Sequence, residues 1–385
     1  MIDNKIKIGC ITWWRNNYGS ILQAYALQHL FRSDDSIDYK IICQYGGKII
    51  SKSNFFDKLK RDGLFSVIKK AYWKIGKKGL RKRTKSIQKF VDDYLIISKP
   101  YNENSFKELN NDFDGFVFGS DQIWNPMLVD VNSLYFGSFA NDDKILVSFA
   151  PSVGVESFDE LASEVRFRLS KFALISCREE TGTNAINKCL GDNNCITILD
   201  PTLVVDKSVW DCFTEKPLFG FKYIFVYMLR GTKEQRQIVE RIAEKWNLKI
   251  VTIPFLDSER ICKYDSKFGD IKVWDVGPKE FLNYIKYSTF VFTDSYHCML
   301  FSLIYHIPFK VFPKIGSAQL ERMKHIQKKY GLNDVLINEL SVNNLSFPDV
   351  VRDFNWANID RIIQKEKETS LIFLLKCIDA FKAVL

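Results

Sequence analysis

Short apolar runs alternate with amphipathic segments along nearly the whole chain, and this alternation indicates the fold. In the first half, the runs predict strands at Ile6–Trp13, Tyr39–Gln44, Gly115–Gly119, Ile145–Ala150, Ala173–Cys177 and Cys195–Leu199. Helical spacing of apolar residues between some of them predicts helices at Ser20–Phe31, Phe158–Leu169 and Gly182–Cys189. Strands that alternate with helices favour an α/β fold with parallel sheets.

A second series of the same kind follows. Strands are predicted at Tyr223–Leu229, Lys249–Phe255, Ile271–Val276, Thr289–Thr293 and Phe309–Phe312. Thr232 and Gln235 form a capping-box pattern at the start of one helix, and Pro278 suits the first position of another. The two series together predict two Rossmann-like domains that face each other across a cleft.

The domain boundary is expected near residue 210, just before a cluster of Lys216, Pro217 and Gly220. We therefore predict an N-terminal domain over 1–210, with a basic helical insert at about 52–97, and a C-terminal domain over 211–385. The last stretch, Trp356–Leu385, is amphipathic and predicts a long helix or a helix pair that could cross back to the first domain.

Composition narrows the class of protein. No apolar run approaches the ~20 residues of a membrane span, and the charged N-terminus is not that of a secretory signal. The nine cysteines form no C-x-x-C pair, and most lie inside apolar stretches. This pattern predicts reduced thiols in a cytoplasmic protein, with neither a disulfide framework nor a metal site.

The net charge of +9 comes from one segment. Residues Lys52–Lys89 contain fourteen Lys or Arg against two aspartates, which gives this segment +12 and leaves the rest at −3. Apolar residues within Leu64–Ile75 share one helical face, so the segment resembles a basic helix that binds an anionic membrane surface through about 52–90. The alternative is a helix that covers the first domain with solvated lysines. We expect no nucleic-acid partner, because no nucleic-acid-binding module is present.

The stretch Thr289–Pro308 carries the most information about chemistry. It predicts a buried strand, a polar turn with Asp294, Ser295 and His297, and then an apolar helix. Ligands of α/β sheets bind at such strand ends, and helix N-termini favour anions. His297 is thus the candidate for acid/base chemistry, the alternative being a histidine that only caps the helix.

Three further polar turns follow predicted strands. Asn17, Gly19 and Ser20 open a helix and could bind a sugar or phosphate, or simply cap it. The second turn contains Asp121 and Trp124, which either bind a sugar or cap the turn and pack. In the third, Arg178 could hold a phosphate or carboxylate, or pair structurally with an acid.

In this order the motifs resemble the polysaccharide pyruvyl transferase family, over about Ile8 to Leu332. The resemblance rests on N-Y-G-S, G-S-D-Q-I-W-N-P, S-F-A-P-S-V-G, S-C-R-E-E, L-D-P-T-L, T-D-S-Y-H and the helix around Glu321–Met323. It implies a GT-B-like pair of Rossmann-like domains. It also implies transfer of a pyruvyl group from phosphoenolpyruvate to a sugar, leaving a cyclic ketal, with no metal or organic cofactor.

The resemblance also implies roles for individual residues. Catalysis would use His297 as an acid and Asp121 as a base. Donor binding would use Arg178, Arg322 and Ser295. The acceptor side would be formed by Asn17, Gly19, Ser20 and Trp124. One departure stands out: many members carry Arg-Leu before the histidine, where this chain has Ser295 and Tyr296. Either another cation, such as Arg322 or Arg15, takes the place of that arginine, or the donor or the reaction differs.

Three functions remain open at this point. The first is pyruvyl transfer to a sugar, with a lipid-linked oligosaccharide of capsule or exopolysaccharide synthesis as the expected acceptor. That acceptor would place the protein in the cytoplasm, peripherally on the inner face of the plasma membrane. The second is a nucleotide-sugar glycosyltransferase, and the third is a non-catalytic glycan-binding protein, because fold alone does not determine function.

Overall fold

Two five-stranded parallel sheets form the centre of the protein. The computed structural model describes residues 5–15, 17–44, 66–257, 260–261, 264–312, 318–332, 335–336, 346 and 354–383. Within these, residues 66–78, 256–257, 260–261, 318–322 and 325 are described by their backbone alone. The two sheets confirm the predicted pair of Rossmann-like domains.

The first sheet has the strand order β3-β2-β1-β4-β5. Its strands are β1 Ile6–Ile11, β2 Ile37–Cys43, β3 Ile97–Pro100, β4 Gly115–Phe118 and β5 Ile145–Ser148. A parallel pair, β6 Ile175–Cys177 and β7 Cys195–Thr197, adjoins β5, where Ser148 N donates to Leu174 O. The carboxyl ends of β4 and β6 therefore lie at the same edge of the domain.

The second sheet has the order β12-β9-β8-β13-β14. Its strands are β8 Tyr223–Tyr227, β9 Lys249–Thr252, β12 Ile271–Lys272, β13 Phe290–Thr293 and β14 Phe309–Val311. A small antiparallel pair, β10 Leu256–Asp257 and β11 Arg260–Ile261, lies outside this sheet. The pattern of apolar positions did not predict this pair or β3, and it made most strands one to four residues too long.

Helices surround both sheets. They are α1 Tyr18–Phe31, α2 Ser66–Tyr94, α3 Leu109–Asp112, α4 Ala162–Leu169, α5 Glu180–Leu190, α6 Pro201–Val204, α7 Lys207–Asp211, α8 Lys233–Trp246, α9 Pro278–Lys286, α10 Tyr296–Ile304, α11 Ala318–Tyr330 and α12 Trp356–Lys382. The predicted helix starts are confirmed, because Thr232 and Gln235 form a capping box and Pro278 is the first residue of α9.

The last helix, α12, is one continuous helix that returns to the first domain. Ser370 Oγ accepts from Leu199 N at 3.0 Å, and Lys382 pairs with Asp34 at 2.7 Å. The Phe381 ring lies so close to β4 that a Cβ at Gly115 would be 2.6 Å from its Cε1. The boundary near residue 210 stays a prediction; β7 ends at Thr197 and β8 begins at Tyr223.

The N-terminal end of α1 packs on the second domain. Tyr18 stacks on Phe281 of α9 with ring centroids 4.8 Å apart, and its hydroxyl donates to Val276 O at 2.9 Å. Aromatic stacking and a buried hydrogen bond together fix this contact. It places the turn before α1 against the carboxyl ends of the second sheet.

Helix α2 contains the basic segment from residue 66 onward, whereas 45–65 lie outside the described residues. Its last turns pack on the second domain. Ser86 Oγ donates to Asp275 at 2.7 Å, and Lys279 donates to the Tyr94 hydroxyl at 2.5 Å. The buried Arg83 donates to the carbonyls of Pro254 at 2.8 Å and Trp274 at 3.4 Å. Part of the predicted insert thus joins the two domains.

Removing this anchor is expected to destabilise the protein. Arg83→Ala leaves the carbonyls of Pro254 and Trp274 without their donor, which costs about 1–3 kcal/mol for buried groups. Chemical denaturation should show this loss. Arg81→Ala is the matched control, because Arg81 is an exposed arginine of the same helix and should change stability by less than ~0.5 kcal/mol. Equal effects of the two variants would contradict the anchoring role of Arg83.

Two structural observations bear on membranes and thiols. Among the described helices, none combines the length and apolar character needed to cross a bilayer. Eight of the nine cysteines are described, and all eight are free thiols. Burial raises the pKa of the Cys10 and Cys298 thiols to about 12, so both stay protonated near neutral pH.

Candidate functional site

Polar side chains from both domains converge where strands β4, β6 and β13 end. Asp121 follows β4, Arg178 directly follows β6, and His297 lies in the first turn of α10, just after β13. Asp200 precedes α6 and joins this group. The fold therefore brings together His297, Asp121 and Arg178, three of the residues that the sequence indicated, at the edge between the two sheets.

Arg178 is the centre of the group. Its side chain is 0% exposed, and Nη1 donates to Asp200 Oδ2 at 2.9 Å. Asp121 Oδ1 lies 3.8 Å from Nη2, and Glu179 Oε2 lies 3.7 Å from Nε. The guanidinium carbon is 4.6 Å from the centre of the Tyr296 ring, which belongs to the second domain. One arginine thus faces three carboxylates and an aromatic ring.

Asp200 is fully buried and is held by several donors. Oδ1 accepts from Thr202 N at 3.1 Å and from Thr202 Oγ1 at 2.8 Å. Oδ2 accepts from Arg178 and, at 3.3 Å, from Ser120 Oγ. Burial alone would raise the pKa of this carboxyl, but His297 and Arg178 hold the pKa well below its usual range. Asp200 is therefore ionised near neutral pH.

His297 reaches from the second domain into this cluster. Its Nε2 lies 3.5 Å from Asp200 Oδ2. The other side of the ring packs on the first turn of α1, so closely that a Cβ at Gly19 would overlap Nδ1 and Cγ and lie 2.7 Å from the His297 Cβ. Ser295, and not His297, caps α10, since its side chain accepts from Cys298 N. The imidazole is thus held between Gly19 and Asp200.

The two remaining carboxylates of the cluster belong to the first domain. Asp121 Oδ2 accepts from Ser20 Oγ at 2.5 Å, which links the turn after β4 to α1. Glu179 Oε1 accepts from Ser152 Oγ at 2.9 Å, from Val153 N at 2.8 Å and from Gly154 N at 3.2 Å. Each carboxylate therefore orders a loop of the site as well as facing Arg178.

Four buried polar atoms in this cluster have no hydrogen-bond partner among the described residues. They are Arg178 Nε, Arg178 Nη2, Glu179 Oε2 and His297 Nε2. Unsatisfied buried polar atoms are uncommon in native proteins, and in a cleft they are positions for a ligand, an ion or water. The arginine atoms suit an anionic oxygen, whereas the Glu179 oxygen suits a hydroxyl donor.

A family model described as polysaccharide pyruvyl transferase matches residues 17–313, which include every residue of this cluster. The chain belongs to the polysaccharide pyruvyl transferase family. It is therefore a transferase, and its membership of this family supports the pyruvylation of polysaccharides as its general function. Among curated proteins, none matches the chain.

Solved structures that resemble this chain share its fold at low sequence identity. UDP-GlcNAc 2-epimerase from Neisseria meningitidis, bound to UDP-GlcNAc, has a TM-score of 0.52 and 10% identity and covers 96% of this chain and 100% of its own. A Listeria monocytogenes protein described as a UDP-N-acetylglucosamine 2-epimerase has a TM-score of 0.55 and 12% identity, and the match covers 94% of this chain and 91% of that one. An alpha-glucosyltransferase in complex with UDP and DNA has a TM-score of 0.52 and 10% identity, and the match covers 96% of this chain and 95% of that one. The GT-B-like fold is confirmed.

Other residues that the sequence indicated lie elsewhere or act structurally. Trp124 is buried, stacks near Phe136 and donates its indole N–H to Tyr135 O at 2.9 Å, so its one polar group is already bonded and its ring packs in the core. Asn17 caps α1, because its side chain accepts from Gly19 N. Trp124 thus packs and Asn17 thus caps its helix, which are the structural alternatives that the sequence left open for these two residues.

Arg322 and Arg15 are the two candidates for replacing the arginine that many family members carry before the histidine. Arg322 lies in α11, but its side chain is outside the described residues. Arg15 stacks on the Trp14 ring at 4.7 Å and points Nη2 toward Cys43 Sγ at 3.9 Å. Among the described residues, no group of three or more His, Cys, Asp or Glu side chains is arranged to hold a metal ion.

Asp200, Glu179 and Ser120 were missed by sequence reasoning. Asp200 and Glu179 lie inside the motifs L-D-P-T-L and S-C-R-E-E, next to a proline and an arginine. A signal was present, because an acid at a strand end beside an arginine at another strand end is a candidate pair. Nothing in the local pattern shows that Asp200 meets a histidine of the other domain.

Asp294 is a further buried carboxylate beside the site. It accepts from Leu229 N at 2.5 Å and from Arg230 N at 2.8 Å, so it ties the loop after β8 to the turn that carries His297. Burial raises its pKa to about 6, although those two amides and the charge of Arg236 oppose the shift.

Asp294 is expected to make stability depend on pH. Its pKa is higher in the folded than in the unfolded chain, so the folded state binds more protons and loses stability as pH rises from about 4 to 6. Relative to Asp294→Asn, the wild type should therefore lose about 2–3 kcal/mol of unfolding free energy between pH 4 and pH 8. Urea denaturation across this range measures the difference. A pH-independent difference would contradict the raised pKa.

Proposed function

We propose that this enzyme transfers the pyruvyl group of phosphoenolpyruvate to two hydroxyls of a sugar, which leaves a cyclic pyruvate ketal. The observation that carries the proposal is a set of four buried polar atoms on Arg178, Glu179 and His297 that make no hydrogen bond within the described part of the chain. This set offers donors for the carboxylate or phosphate of the donor substrate and an acceptor for a sugar hydroxyl.

The residues can be given roles in this reaction. Protonated His297 gives a proton to the methylene carbon, which makes the neighbouring enol carbon electrophilic. A sugar hydroxyl attacks that carbon and passes its proton to Asp121. The second hydroxyl then attacks the same carbon, the carbon–oxygen bond to phosphate breaks, and inorganic phosphate leaves. Asp121 passes the first hydroxyl proton on to the departing phosphate, and the proton of the second hydroxyl restores the protonated form of His297.

Charge sets a condition on donor binding. Arg178 is surrounded by three carboxylates, so the cluster is net negative when His297 is neutral. Phosphoenolpyruvate is itself an anion and needs more positive potential. In this proposal protonated His297, the N-terminus of α10 at Ser295, and Arg322 supply it.

A lipid-linked oligosaccharide is the acceptor in this proposal. The basic segment supports it, since Lys52–Lys89 carry +12 and anionic lipids attract clustered lysines. Sedimentation with vesicles tests the point. Binding to vesicles that contain phosphatidylserine at low salt, lost at 0.5 M salt and absent with phosphatidylcholine alone, is expected. Sedimentation of equal amounts of protein with both kinds of vesicle would contradict binding to an anionic membrane.

Binding measurements test the donor. Thermal-shift and calorimetric titrations should compare phosphoenolpyruvate with UDP-, GDP- and CMP-sugars. Phosphoenolpyruvate is expected to raise the melting temperature, because a ligand at 100 times its Kd adds about 2.7 kcal/mol to the native state. The gain should disappear in His297→Ala. Stabilisation by a nucleotide-sugar alone would favour the glycosyltransferase function, which resembles that of the UDP-binding proteins of similar fold.

A further inference from the structure

We propose that Asp200 is a positioning residue that fixes the imidazole of His297 and the guanidinium of Arg178 relative to each other. The inference rests on the proposed function only for its kinetic consequence. The structural part of the inference is that the carboxylate of Asp200, which lies between the two sheets, determines which of the two ring nitrogens of His297 is protonated.

The geometry around Asp200 leaves the carboxylate little freedom. Oδ1 is occupied by two donors from Thr202, and Oδ2 by Arg178 Nη1 and Ser120 Oγ. The backbone before it is also anchored, because Leu199 N donates to Ser370 of α12. The negative charge is therefore fixed in space before the second domain contributes His297.

The orientation of the imidazole follows from that fixed charge. Nε2 lies 3.5 Å from Oδ2, and the opposite edge of the ring contacts Gly19. A carboxylate that accepts from other donors on both oxygens favours an N–H on the nitrogen facing it. His297 therefore carries a proton on Nε2. At 3.5 Å the contact is longer than a normal hydrogen bond, which leaves Nε2 able to approach an oxygen or carbon of a substrate.

An asparagine cannot replace this carboxylate. With its amide nitrogen at the Oδ2 position, Asp200→Asn would turn an N–H toward the guanidinium of Arg178. With the nitrogen at the Oδ1 position, it would turn an N–H toward the backbone amide of Thr202. Either orientation places one N–H donor against another, whereas the hydroxyls of Ser120 and Thr202 can also accept. The substitution conserves shape and volume, so it tests charge and hydrogen-bond polarity.

Nitrogen-15 NMR of the histidine rings in the full-length protein is the direct test. The chain has only four histidines, and His297→Gln assigns the His297 signal by its loss. In the wild type we expect a proton on Nε2 of His297. In Asp200→Asn we expect that signal to shift to the other tautomer or to broaden. A wild type protonated at Nδ1 alone, or a His297 signal that is the same in folded Asp200→Asn, would overturn the proposal.

Kinetics supply a second readout. Asp200→Asn should lower kcat by about 100-fold or more, with a smaller change in KM for phosphoenolpyruvate, because a misplaced catalytic group costs this much. Asp206→Asn is the matched control: Asp206 lies six residues on, is exposed and pairs with Lys367, and its removal should leave kcat unchanged. A raised KM at constant kcat would contradict a positioning role. If the wild type lacks pyruvyl transfer, the proposed function fails, whereas the NMR result still decides the role of Asp200.

Discussion

Replacing Gly19 by alanine is expected to abolish most of the activity by displacing His297. A Cβ at this position overlaps the imidazole ring and lies 2.7 Å from the His297 Cβ, and real Cβ atoms do not approach this closely. Neither partner can yield easily, because Gly19 belongs to the first turn of α1 and His297 is packed against Asp200. Displacement by ~1 Å can cost about 100-fold in rate, so we expect at least that loss in kcat/KM.

A double-mutant cycle separates this displacement from general damage. Gly19→Ala should destabilise the wild type by about 1–3 kcal/mol through overpacking. The same substitution should cost less in a His297→Ala background, since the ring that it overlaps is gone. Gly220→Ala is the matched control, because a Cβ there meets nothing within 4 Å. Equal costs of Gly19→Ala in both backgrounds would show that the two residues are not coupled.

The turns that follow β4, β6 and β13 could be predicted because each has a local signal. An apolar run ends, polar residues follow, and a helix begins; parallel strands then bring their carboxyl ends to one edge. Asp121, Arg178 and His297 were found in this way. Their mutual distances could not be predicted, since they depend on how two separately encoded sheets pack.

Asp200 shows where such prediction stops. It lies 97 residues from His297 in the chain, and the two meet because contacts of α1, α2 and α12 hold the two domains together. Asp200 is a site residue that was not predicted, whereas Trp124 is a core residue that was predicted to bind a sugar. An aromatic residue in a polar turn has the same pattern whether it faces solvent or the core, and here its indole N–H bonds a backbone carbonyl inside the core.

The basic segment was an equally ambiguous pattern. Apolar residues on one helical face suit a lipid surface or a protein surface. From Gly79 to Tyr94 the helix contacts the second domain through Arg83, Ser86 and Tyr94, which accounts for part of the pattern without a membrane. The proposal of membrane binding therefore concerns only the part of the segment before these contacts.

Replacing Arg178 by methionine is expected to have the largest effect on stability. Arg178 lies within 3.8 Å of three carboxylates, so the substitution removes a cation that all three share, and an unpaired buried charge costs about 3–5 kcal/mol. Together with His297, Arg178 holds the pKa of Asp200 below its usual range, so its stabilising effect should be fully present above about pH 4, and the loss should shrink as pH falls below that value. Arg178→Lys retains the charge and should recover part of the stability, though not the fork that reaches several acids at once.

Arg236 provides the control that distinguishes structure from ligand binding. It is also a buried arginine, and it pairs with Asp265 at 2.7 Å within the second domain. Arg236→Met should therefore destabilise the protein by a similar amount. Calorimetry at a temperature where both variants are folded should then detect phosphoenolpyruvate binding to Arg236→Met and not to Arg178→Met. Binding of equal strength to both would restrict Arg178 to a structural ion pair, and the donor would have to be held by the second domain alone.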